Sequence, residues 1–166
     1  MLRTVAFIAA LTANIAAADV VVQFTEGAPK DRFTITNDGE CALGKAEVSL
    51  DLSAAPAGLI FDVTGQGAGV QVFQPFEVVA GANRLAALPR VLDGDTAVTL
   101  ALTGLAARES VAFTIDVDDT AGGREITVSG SEINGARVRM DIGGAQVTAG
   151  FDKRAIARLV YDSCAS

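Results

Sequence analysis

The chain has 166 residues, 50% hydrophobic and 20% charged, so it carries apolar surface for one ordinary core and lies outside the composition of disordered segments. Thirteen basic residues stand against 20 acidic ones, a formal charge of −7, which argues against a nucleic-acid partner. Histidine and tryptophan are absent and Tyr161 is the one tyrosine, which excludes His-dependent triads and zinc sites and argues against a stacking platform for sugars.

Met1-Leu2-Arg3 gives a short basic start, Thr4 to Ile15 is mostly apolar, and Ala16-Ala17-Ala18 precedes Asp19. Basic start, short apolar run and small residues at the −3 and −1 positions make the pattern of a cleaved export signal over residues 1–18. The alternative is an anchor helix, but the run is shorter than the roughly 20 residues a span needs. Cleavage after Ala18 would leave one domain, 19–166, with 12 basic and 20 acidic residues and a charge of −8. The expected product is exported, periplasmic or extracellular, with no membrane span. In an oxidising compartment Cys41 and Cys164 read first as a disulfide, with two free thiols as the alternative. The bridge would fasten the C-terminal tail onto the first sheet.

Along the rest of the chain the hydrophobic period is two. Val20 to Thr25 is an apolar run, and Arg32 to Thr36 alternates up to the turn signal Asn37-Asp38-Gly39. Ala46, Val48, Leu50 and Leu52 share one strand face, and Leu59 to Val63 follows the Pro56 loop. Beyond the glycines of Gly65-Gln66-Gly67-Ala68-Gly69, a strand-like stretch runs from Val72 to Val79. Leu85 to Leu92 and Thr96 to Leu102 flank the turn Asp93-Gly94-Asp95, and Val111, Phe113, Ile115 and Val117 alternate with Ala112, Thr114, Asp116 and Asp118. A closing meander is expected from Arg124 to Ile133, Ala136 to Ile142 and Ala145 to Ala149, with turns at Asn134-Gly135 and Gly143-Gly144. Ile156, Leu159 and Val160 sit at helical spacing and predict a short helix over Lys153–Asp162. Many short strands without βαβ alternation define an all-β antiparallel sandwich, jelly-roll or Ig-like.

The densest acidic run is Asp116-Val117-Asp118-Asp119. Asp116 and Asp118 share a strand face about 7 Å apart at Cα. Carboxylates so placed repel unless a cation or an arginine such as Arg124 intervenes. Asp116, Asp118 and Asp119 are therefore the candidate oxygen ligands of a Ca²⁺ ion, with Asp93, Asp95, Glu132 and Asn134 as additions; the alternative is a solvated strand edge. EF-hand spacing is absent. Paired carboxylates also serve glycoside hydrolysis, nominating Asp116 with Asp118 or Glu125 with Glu132, but the scarcity of aromatics disfavours it. Serine chemistry lacks a base, and the glycine-rich segment lacks a following helix and lysine. Lys30-Asp31-Arg32 and Arg137-Val138-Arg139 read as solvated faces or ion-pair partners rather than an anion site.

Several segments carry a resemblance: Glu26 to Phe33, Gly58 to Val63, Val72 to Glu77, Phe113 to Thr120 and Gly130 to Ala136. Together they resemble a group of small secreted alphaproteobacterial proteins labelled "aggregation factor core" by similarity to a sponge cell-adhesion factor. The resemblance implies an extracellular adhesion or matrix role, Ca²⁺-assisted, and carries no catalytic residue. The expected function is thus a non-enzymatic binding module for a surface protein or polysaccharide, able to self-associate. A carbohydrate-active hydrolase and a structural subunit of a surface assembly are the alternatives.

Overall fold

The alternating runs become strands, and the hydrophobic faces they create close on one another. The computed structural model describes residues 18–64, 74–120, 128–161 and 164. The strands are β1 (Ala18–Thr25), β2 (Asp31–Asn37), β3 (Ala46–Asp51), β4 (Leu59–Asp62), β5 (Glu77–Ala80), β6 (Ala97–Leu102), β7 (Ser110–Asp119), β8 (Arg137–Ile142), β9 (Ala145–Gly150) and β10 (Ile156–Tyr161). One sheet runs β10-β1-β2-β7-β4, with β5 also on β7; the other runs β6-β3-β8-β9. All the pairings are antiparallel, and the architecture is an all-β sandwich.

Between the sheets, Phe33, Ile35, Val111, Phe113 and Ile115 of the first meet Val48, Leu50, Leu100, Val138 and Met140 of the second, all fully buried. Phenylalanines form a continuous file: Phe33 packs edge-on to Phe24 at 5.1 Å and stacks on Phe113 at 5.2 Å, and Phe76 stacks on Phe113 at 4.7 Å. Among the described residues, the phenylalanines are spent on the core. Gly143 and Gly144, with φ of 55° and 84°, make the expected two-residue hairpin turn between β8 and β9.

Cys41 and Cys164 are joined, with Cα atoms 5.6 Å apart at a sequence separation of 123. Cys41 follows β2 and Cys164 follows β10, so the bridge ties the tail to the first sheet as expected. Asn37, fully buried, holds the same corner: its Nδ2 donates to the carbonyls of Cys41, Leu105 and Ala106, and its Oδ1 accepts from the Gly39 amide.

Three expectations are corrected. The predicted helix over Lys153–Asp162 is strand β10, which lies along the free edge of β1 from Gln23↔Ile156 to Ala18↔Tyr161. Covering that edge satisfies a row of backbone groups that a helix would have left bare, and Val160, counted on the helical face, is 63% exposed. Leu85 to Leu92 is not a strand: after a 3₁₀ turn at Ala82–Arg84 it touches the end of β6 through one bridge, Leu85↔Leu102, and Pro89 cannot donate to a ladder. Ser129 to Ile133 belongs to a turn, because Glu132 folds back to accept from the Ser129 amide and hydroxyl. Of the strand-like stretch from Val72, the part from Glu77 to Ala80 is strand, while Val72 and Phe73 lie outside the described residues. Residues 1–17, the glycine-rich segment Gly65–Gly69, Arg124 and Glu125 also lie outside them. Among the described residues no helix is long and apolar enough to cross a membrane.

Candidate metal centre

β7 is the longest strand and its second edge is shared. β5 pairs with Ala112, Phe113 and Thr114, and β4 takes over from Asp116 to Asp119. The β4 register sets Asp62 directly opposite Asp116 and Ile60 opposite Asp118. Residues directly opposite share a sheet face, as do Asp116 and Asp118 two positions apart. Three carboxylates therefore converge on one patch. One oxygen from each of Asp62, Asp116 and Asp118 lies within 4.8 Å of the others.

The patch is largely buried. Asp62 is 0% exposed, Asp116 5% and Asp118 9%. Like charges directly opposite across a ladder are unfavourable, and burial multiplies the effect. Both Oδ atoms of Asp62 are closed off from solvent and make no hydrogen bond of ordinary geometry, and the Asp93 carboxyl and the Thr64 amide are polar groups that act on its charge. Gln74, 6% exposed, donates from Nε2 to Asp116 Oδ2 at 2.9 Å, yet its own Oε1 is buried without a partner. Three buried oxygens thus lack the donors that such atoms ordinarily have.

Asp31 borders the patch. β2 begins with Asp31 opposite Ile115, and the Asp31 carboxylate extends the ladder beyond that first pair, accepting from the Val117 amide at 3.1 Å and the Gly27 amide at 3.0 Å. Burial raises its pKa to about 7 against the pull of those amides, with Asp116 and Asp118 adding to the rise. Burial likewise raises Asp116 to about 7, helped by Asp118 and Asp62. Asp62 is pushed up to about 6 by burial first and by Asp93 and Asp118 next.

Of the sequence candidates, the structure brings Asp116 and Asp118 together. Asp119 alternates to the other side of β7, opposite Leu59. Asp93 lies at the border, its Oδ1 accepting from the Val63 amide at 3.2 Å. Asp95 closes its own turn by accepting from the Leu92 amide, and Glu132 and Asn134 belong to the Ser129–Gly135 turn. Sequence reasoning missed Asp62, Gln74 and Asp31. The signal for Asp62 was present: it is the one charged residue in the apolar run Leu59 to Val63.

All-oxygen donors suit a hard cation. Ca²⁺–O distances of about 2.3–2.6 Å put oxygens on opposite sides of the ion at most about 5 Å apart, so a group within 4.8 Å fits around a single ion. Asp62, Asp116 and Asp118 would supply the charge and the Gln74 amide oxygen a neutral ligand.

The fold and this patch define an antiparallel β-sandwich with a buried carboxylate cluster on its longest strand. No family model matches the chain, and no curated protein does. Among solved structures it is similar to a family GH18 chitinase from Chromobacterium violaceum, at 18% identity and a TM-score of 0.36, over 82% of this chain and 19% of that one.

Proposed function

We propose that this chain is an exported, non-enzymatic β-sandwich binding module, acting at the cell surface or in the extracellular matrix, whose Asp62–Asp116–Asp118 cluster takes up Ca²⁺. The observation that carries the reading is the Asp62 carboxylate, fully buried, without a hydrogen bond of ordinary geometry and facing two more carboxylates. Such an arrangement is costly in a bare fold and is relieved by a divalent ion. The disulfide supports export, because such bridges form and persist in oxidising compartments. Joining β4 and the Gln74 segment to β7 through one ion would fix an edge of the first sheet, which is how a cation assists binding without taking part in chemistry.

Thermal unfolding with EDTA and with Ca²⁺ tests it. At free Ca²⁺ about a hundred times Kd the folded state gains about 2.7 kcal/mol, or about 5–10 °C for a chain of this size. Asp118→Ala removes the rise. No shift in millimolar Ca²⁺ removes the metal from the account.

A further inference from the structure

The second sheet carries another feature, on the face turned away from the core. Its register aligns Ala97 with Asp51 and Arg137 in one row, and Thr99 with Ser49, Arg139 and Thr148 in the next. These residues line a depression of about 400 Å³. It arises from side-chain length: alanine, serine and threonine leave a low floor, and the two arginines of β8 stand beside it. Arg137 and Arg139, two apart on one strand, point the same way with Cα atoms about 7 Å apart.

The polar groups are unequally engaged. Ser49 and Thr99 share a hydrogen bond at 2.8 Å, Asp51 Oδ1 is taken by the Ser53 amide and hydroxyl, and Arg139 Nε reaches Asp141 at 3.0 Å. Arg137 is exposed and makes no hydrogen bond or ion pair among the described residues. The lining holds two guanidiniums and the carboxylate of Asp51, and the same face carries Glu47 opposite Asp141; Asp141 takes Arg139, which leaves Arg137 as the unengaged cation of the groove. The unengaged guanidinium of Arg137 is what the groove offers an anion.

The rest of the groove selects the kind of anion. The backbone groups of the central strands β3 and β8 are paired within the sheet, so an extended peptide laid across this face finds no ladder to join. What remains are hydroxyls, which donate and accept, and planar guanidinium forks, which bind carboxylate or sulfate through two parallel hydrogen bonds. We propose that the outer face of β6-β3-β8-β9, centred on Arg137 and Arg139, binds an acidic polysaccharide bearing carboxylate or sulfate groups. The site goes beyond the Ca²⁺ reading and does not depend on it, since the carboxylate cluster lies on the other sheet.

Affinity electrophoresis and calorimetry at low salt, each run in EDTA and in Ca²⁺, test the proposal with polygalacturonate, dextran sulfate, neutral dextran and polyglutamate. Binding is expected to one or both acidic polysaccharides, in EDTA as well as Ca²⁺, weakening as salt is raised and absent for neutral dextran. The polymer that binds tells carboxylate from sulfate. Arg137→Ala and Arg139→Ala each lower affinity about ten- to a hundred-fold, the loss of one charge-assisted contact, at an unchanged melting temperature. Arg137→Lys restores part of it. Binding to neither polysaccharide, binding unchanged in the double alanine variant, or equally tight binding of polyglutamate would each overturn the proposal.

Discussion

Replacing Asp62 by asparagine separates what this carboxylate costs the fold from what it does for a cation. In the metal-free protein its pKa is raised from 3.8 to about 6, with burial as the main cause. At pH 7.5 the folded state therefore holds a charge that the unfolded state carries more cheaply. At 1.36 kcal/mol per pKa unit the penalty is about 2–3 kcal/mol. Asparagine keeps the shape, removes the charge, and offers Asp116 and Asp118 a donor. The expected result is that Asp62→Asn is more stable than the parent in EDTA at pH 7.5, by about 5–10 °C in differential scanning calorimetry. At pH 4, where the parent carboxyl is mostly protonated in the folded state, the advantage shrinks toward zero. In Ca²⁺ the order changes: the parent gains stability and the variant gains little, because a ligand is gone. A variant less stable than the parent in EDTA, or one with the same Ca²⁺ response, would refute the reasoning.

The parent in EDTA has its own pH signature. Asp31 and Asp116, raised to about 7, and Asp62, raised to about 6, keep protons in the folded state that the unfolded chain releases near pH 4, so stability falls as pH rises from about 4 to about 7. Urea midpoints across that window check the sign; rising stability would contradict it. Ca²⁺ displaces the same protons, so its stabilising effect is larger at pH 7.5 than at pH 5. Reducing Cys41–Cys164 opens a closure across a sequence separation of 123 and is expected to cost about 4–5 kcal/mol, read as a lower urea midpoint in reductant. Asn37→Ala strips the Cys41, Leu105 and Ala106 carbonyls of their donor and is expected to cost about 2–4 kcal/mol by the same measurement.

Local pattern made much of this fold readable. β3 and β8 alternate apolar and polar residues strictly enough to fix which face is buried, and Gly143-Gly144 announces its hairpin. β10 was not readable, because Ile156, Leu159 and Val160 fit a helix and the deciding fact is the free edge of β1, more than 130 residues earlier in the chain. The same distinction divides the site. Asp116 and Asp118 stand two apart on one strand, and their spacing alone suggested a shared face. Asp62 reaches them through the pairing of β4 with β7, and Gln74 through a contact across 42 residues. Neither relation leaves a periodic trace. Burial on both faces of β7 was also invisible locally, since an Asp at alternate positions ordinarily marks the wet side of a strand.

The central claim is that the buried carboxylates form a cation site, and isothermal titration of the EDTA-stripped protein with CaCl₂ at pH 7.5 tests it most directly. The account predicts saturable binding of a single Ca²⁺ per chain, reduced sharply in Asp62→Asn and lost in Asp118→Ala. A parent chain that takes up no Ca²⁺, or a folded Asp62→Asn variant that binds it as the parent does, would contradict it.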